Sequence, residues 1–233
     1  MYAPVPTTPF DLQFRLFGVP VTVTPWFWAL GIFLAWDVVT ERRFDLLLIW
    51  LACVFVSILV HEYGHAFLAE FFGCWPSIYL YQFGGLAVFQ PNSRFTTWRS
   101  IAVSFAGPAA GFLLCGFIFV VWLVVGWGGW LDSLGPMTQE RVSYFFGSML
   151  WINIGWGILN LLPILPLDGG RIAEALLIRF RRLDGQRWAF ILGAVVAGGI
   201  AAFFGLFHES YNAILFGLLC ITNVQALQRR NPW

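Results

Sequence analysis

The stretch ILVHEYGHAFLAEFF, Ile58 to Phe72, sets two histidines and a glutamate in a mostly apolar run. The residues before it, Leu46–Val60, include no charged side chain, so the motif continues a segment suited to hydrocarbon. On a helix, His61 and His65 are offset by about 40° and about 6 Å. Both imidazoles then leave one face and can converge on one ion. Glu62 stands beside them, placed to take a proton from metal-bound water, which is the chemistry of the H-E-x-x-H pattern. A lone histidine on an apolar face is usually a packed one. Two histidines and a carboxylate in hydrocarbon are each costly, and such groups mark a site or an ion path. Two of the chain's 3 histidines are here.

Working outward, the 233 residues are 59% hydrophobic and only 11% charged, where soluble domains carry about a quarter. This is the composition of a membrane protein that sits in a lipid bilayer. A net charge of +1, with no basic block, gives no reason to expect a nucleic-acid partner. The four cysteines, Cys53, Cys74, Cys115 and Cys220, form no C-x-x-C pair and read as buried thiols. Met1–Arg15 lacks the basic-then-apolar order of a cleavable signal.

Hydropathy predicts about six spans, near Val21–Trp36, Leu46–Phe72, Ile101–Trp127, Val142–Leu165, Trp188–Phe207 and Tyr211–Leu227. The first is short for a full crossing. All 13 basic residues are arginine. With the N-terminus cytoplasmic, Arg15, Arg94, Arg99, Arg171, Arg179, Arg181, Arg182, Arg187, Arg229 and Arg230 fall on the cytoplasmic side. Only Arg42, Arg43 and Arg141 fall on the far side, a bias that favours both termini inside. Leu46–Phe72 would be about 40 Å long against about 30 Å of hydrocarbon, so its cytoplasmic end can protrude. His65 then lies about 10 Å back from Phe72, inside the membrane near the cytoplasmic face.

Two further segments bear on the site. Ser77–Gln90 reads as a hairpin, with aromatic and β-branched residues flanking a turn at Gly84-Gly85. It is either a structural loop or an edge strand beside the site, able to pair with an extended substrate. The fourth span runs into Asn160-Leu-Leu-Pro-Ile-Leu-Pro-Leu-Asp-Gly-Gly170, where Pro163 and Pro166 stop the helix. Asp168 is thereby expected on a non-helical turn near membrane depth. It is either a third metal ligand or a solvated loop carboxylate. Beyond it, Arg171–Leu183 reads as an amphipathic helix on the cytoplasmic leaflet, with Ile172, Leu176, Phe180 and Leu183 in one stripe. Asn223 and Gln225 read as interhelical hydrogen-bonding residues.

The pair of motifs, His61-Glu-Tyr-Gly-His65 with Asn160…Asp168-Gly-Gly170, resembles the site-2 protease family of intramembrane zinc metalloproteases, over a core of residues 46–183. The resemblance implies one Zn2+ held by His61, His65 and Asp168, with Glu62 as the catalytic carboxylate. It implies substrate or oxyanion binding by Asn160, and substrate contact at Gly84 and Gly85 of the hairpin. Gly107-Pro108 matches the family's third-helix motif, whereas Gly111 stands where the family commonly has asparagine. The expected fold is an all-α polytopic membrane protein of about six transmembrane helices, with a small membrane-associated β-hairpin on the cytoplasmic side. Residues 1–233 are expected to form one transmembrane metalloprotease domain, with peripheral helices at 21–36, 188–207 and 211–227. It would be a short prokaryotic-type member without a PDZ or CBS domain, in the cell (inner) membrane. Its partner would be a transmembrane protein substrate. A metal-ion transporter and a catalytically silent scaffold that grips membrane helices are the alternatives. A transporter would place ligands on several helices near the midplane with repeated halves, and no repeat is present.

Overall fold

The computed structural model describes residues 8–93, 95–129 and 133–229. In chain order the elements are β1 (Leu12–Leu16), β2 (Val19–Val23), α1 (Pro25–Leu34), α2 (Trp36–Thr40), α3 (Phe44–Phe71), β3 (Ser77–Tyr81), β4 (Gly84–Val88), α4 (Thr97–Trp127), α5 (Pro136–Leu161), α6 (Asp168–Phe180), α7 (Gly185–Leu206) and α8 (Ser210–Gln228). Among the described residues, α3, α4, α5, α7 and α8 are long and apolar enough to cross a membrane. Arg94 and Arg230, two of the arginines expected on the cytoplasmic side, lie outside the described residues.

The expected first span, Val21–Trp36, is not one helix. Val19, Val21 and Val23 are 1–2% exposed and alternate with partly exposed Pro20 and Thr22, so the segment folds as strand β2. Phe17 and Gly18 both have positive φ (47° and 87°), the geometry of a two-residue hairpin turn from β1 into β2. Pro25 then opens α1, where a missing N–H leaves nothing unsatisfied. The chain ahead of α1 is therefore a β-hairpin.

The expected Ser77–Gln90 hairpin is half of a four-stranded sheet in the order β1-β2-β3-β4. The outer pairs are antiparallel, while β2 and β3 run parallel with Val21 opposite Ile78 and Val23 opposite Leu80. The β3–β4 turn is Gln82-Phe83. Gly84 and Gly85 begin β4, opposite Tyr81 and Leu80, and are not the turn. Because β2 and β3 are neighbours, the chain leaves the sheet through α1 and α2 and returns to it along α3. The indole of Trp50 on α3 donates to the Gly31 carbonyl of α1 at 3.0 Å.

By its contacts the chain forms two units: Met1–Arg94 with Ala106–Gly157, and Phe95–Phe105 with Ile158–Trp233. In the first unit the buried side chains of the sheet (Val19, Val21, Val23, Ile78 and Leu80) form one core with Phe27, Cys53, Val54 and Ile58. The Tyr63 hydroxyl donates to the Leu16 carbonyl, tying the first hairpin to α3. At its start, α3 is linked to α5 by charge. Arg43 donates to both oxygens of Glu140 (2.9 and 2.8 Å), and Arg141 donates to Asp45 at 2.9 Å. Arg43 and Arg141, assigned to one side by the arginine count, thus share one ionic cluster. At its end, α3 stops where Gly73 takes φ 79°. The N–H groups of Gly73 and Cys74 then close back on the Glu70 and Ala69 carbonyls.

In the second unit α7 and α8 pack along each other. Ile164, Ala197 and Phe216 form its buried core, with Leu162 and Leu167 against them. Asp168 is not on the irregular turn. It is the first residue of α6, with Leu167 as the extended N-cap. The amphipathic helix accordingly starts earlier than Arg171 and ends at Phe180, leaving Leu183 outside it and fully exposed.

Candidate metal centre and active site

His61, Glu62 and His65 occupy the second half of α3 and are 2%, 4% and 7% exposed. The i, i+4 spacing does what the sequence predicts. The two Nε2 atoms are 3.3 Å apart, with the rings edge to face at 4.9 Å. Two nitrogens bound at about 2.0–2.1 Å to one tetrahedral zinc are separated by about 3.4 Å. The imidazole pair therefore has the spacing that such an ion requires.

Three contacts in the first unit position these side chains. Gly85 of β4 lies directly over the Glu62 carboxyl. A Cβ there would sit 2.5 Å from Oε1 and 2.6 Å from Cδ, so only a residue without a side chain lets the strand come this close. Gly107 of α4 does the same for His65, where a Cβ would lie 2.8 Å from Cδ2 and nearer to the other ring atoms. Trp156 of α5 stands edge-on to His61, with ring centroids 6.5 Å apart. Its indole also closes on Gly84, whose Cβ would meet Cζ2 and Cη2 at 2.5 and 2.6 Å. The strand beside the carboxylate is thus held by two glycines, and the imidazoles by a glycine and an indole.

β4 is an edge of the sheet, with β3 as its neighbour and its other side outside the sheet order. An edge strand offers free backbone groups to an incoming extended segment. Here that edge passes over a buried carboxylate. One turn along α3 from His61, Ser57 accepts from Asn153 Nδ2 at 2.8 Å, and Asn153 also donates to the Met149 carbonyl.

Of the residues singled out by sequence, His61, Glu62, His65, Gly84 and Gly85 come together in the first unit. Asn160 and Asp168 belong to the second, near the end of α5 and at the start of α6, and both are buried at 7% and 9% exposure. Sequence reasoning gave Gly107-Pro108 as a match to the family's third-helix motif and missed the close approach of Gly107 to His65. It also missed Trp156, one aromatic among 13 tryptophans, for which the sequence carries no distinguishing signal.

Residues 49–198 match peptidase family M50. A Synechocystis sp. protein whose name gives it provisionally as a zinc metalloprotease is 31% identical over 220 residues, covering 90% of this chain and 52% of that protein. A zinc metalloprotease of Methanocaldococcus jannaschii is 26% identical over 175 residues, covering 75% of this chain and 44% of that protein. The chain thus spans about half the length of these relatives. In fold it is similar to the site-2 protease from Methanocaldococcus jannaschii, with a TM-score of 0.61 and 19% identity over 94% of this chain and 95% of that one.

Proposed function

The chain belongs to peptidase family M50, and from that premise we propose that it is a zinc metallopeptidase that hydrolyses a peptide bond within the transmembrane segment of another membrane protein, as a step of regulated intramembrane proteolysis. The observation that carries the reading is the imidazole pair of α3, 3.3 Å apart, with Glu62 between them in sequence and its carboxyl beneath an edge strand.

In this reading His61, His65 and Asp168 hold one Zn2+. Two neutral imidazoles and one carboxylate would be a donor set of the kind that holds catalytic zinc. Zinc, when bound there, would supply Lewis acidity to the reaction. Glu62 takes the proton from the attacking water and later delivers it to the leaving amine. Burial at 4% exposure keeps that carboxylate from bulk water between the two transfers. The Asn160 carboxamide is placed in the role of donor to the developing oxyanion. A helix hides its peptide bonds, so the substrate must unwind. The β4 edge, with Gly84 and Gly85 at its start, receives the unwound segment as an added strand. Both termini are assigned to the cytoplasm, and the active site to the cytoplasmic side of a prokaryotic inner membrane, following the arginine bias.

The test is metal analysis together with cleavage of co-expressed single-span proteins, for the wild type and Glu62→Gln. The substitution is expected to keep the zinc and abolish cleavage. A fully active Glu62→Gln enzyme would remove the carboxylate from the chemistry and the reading with it.

A further inference from the structure

The turn that leads into Asp168 lies between α5 and α6, outside helical hydrogen bonding, so its carbonyls must find donors elsewhere. Most are served locally. The Leu162 carbonyl accepts from Ile164 N–H (2.7 Å), and the Ile164 carbonyl accepts from Leu167 N–H (2.8 Å). The Pro166 carbonyl accepts from Arg171 Nε (3.3 Å). The Leu167 carbonyl accepts from Arg171 N–H (3.0 Å). The Leu165 carbonyl is served from a distance. Asn223, in the second half of α8, donates to it from Nδ2 at 2.7 Å.

Asn223 is 1% exposed, and its second Nδ2 hydrogen goes to the Leu219 carbonyl of its own helix at 2.8 Å. Two carbonyl acceptors fix which end of the carboxamide faces the turn. Its Oδ1 has no hydrogen-bond partner among the described residues and rests against Gly193 of α7, where a Cβ would come within 2.5 Å of Oδ1. A buried carboxamide with an unsatisfied oxygen is an expensive choice for a membrane helix if its only role is packing, which leucine would serve.

We propose that Asn223, seated against Gly193, is a positioning residue for the metal centre: it anchors the Leu165 carbonyl to α8 and so sets where α6 begins and where its first residue, Asp168, presents its carboxylate. The inference rests on Asp168 being a zinc ligand. Loss of the anchor frees the turn three residues before that ligand, and loosened support around a ligand costs metal affinity.

The experiment uses the full purified chain and measures zinc affinity by chelator competition, with the visible spectrum of the Co2+-substituted protein as a report on ligand geometry. Asn223→Leu removes the donor and keeps the same branched side-chain skeleton. Gly193→Ala keeps the asparagine but pushes it away. Gly198→Ala adds a methyl to the same α7–α8 contact, 3.4 Å from Cys220 Sγ and away from the turn. Asn223→Leu and Gly193→Ala are each expected to weaken zinc binding about 10- to 100-fold and to shift the cobalt bands, with Gly198→Ala matching the wild type. If Asn223→Leu fails to fold, Gly193→Ala decides alone. Wild-type affinity and cobalt spectrum in the folded variants overturn the proposal. Asp168→Ala separates the two layers: if it leaves zinc affinity unchanged, the ligand assignment fails and the anchor falls with it. If Asp168→Ala loses zinc while Asn223→Leu does not, only the anchor fails.

Discussion

Gly107→Ala is a sharp test of how the imidazoles are held. A methyl at 107 would lie 2.8 Å from His65 Cδ2, where ordinary contact begins at 3.4 Å, so the ring must retreat by at least about 0.6 Å, the difference of the two. Cε1 and Nε2 are nearer still and must move further. Residue 107 lies inside α4 just before Pro108, so the backbone has little freedom to yield. His61 stands against the same ring, with its Nε2 only 3.3 Å from that of His65. The imidazole therefore swings and the nitrogen pair loses its spacing. The fold should survive. Overpacking costs about 1–3 kcal/mol, and alanine in place of a helical glycine returns up to about 1 kcal/mol. Zinc affinity is expected to fall about 10- to 100-fold, and kcat/KM about 100-fold. The assay is zinc retained per chain against a graded chelator, together with cleavage of a single-span substrate. Gly116→Ala on the same helix, with nothing within 4 Å of its added methyl, is the control and should behave as wild type. Wild-type zinc retention and activity in Gly107→Ala would refute the reasoning.

Gly85→Ala should give the complementary pattern, because the three atoms nearest its methyl all belong to Glu62, with Oε1 at 2.5 Å. Zinc stays while turnover drops about 100-fold, and a parallel loss of zinc would show that the two glycines do not serve separate groups. Asp168→Ala is expected to lose zinc, and chelation of the wild type to stop cleavage until zinc is restored; unchanged metal content in Asp168→Ala would mean a different third ligand. Tyr63→Phe removes the hydrogen bond to the Leu16 carbonyl, worth about 0.5–1.5 kcal/mol, and should speed amide exchange across Leu12–Val23. Unchanged exchange there would mean the hydroxyl does not hold the hairpin.

Much of the protein is determined by local sequence. Hydropathy marks the five long helices because a run of twenty apolar residues has few other stable states in lipid. The four-residue spacing brings His61 and His65 to one face because helical geometry repeats every 3.6 residues. Pro163 and Pro166 end α5, although the break comes at Leu161 and not at the expected Leu165, since a proline disturbs the turn before it. What tertiary structure decided depends on partners far away in the chain. Val19–Val23 is equally apolar as helix or strand, and its pairing with Ser77–Tyr81, more than fifty residues on, makes it a strand. Gly84-Gly85 reads as a turn in isolation, yet it begins β4 because Trp156 and Glu62 leave no room for side chains there. Asp168 becomes the first residue of a helix once Leu165 is anchored by an asparagine 58 positions later. Close approach between distant segments is a property of the packed chain, and no local period in the residues encodes it.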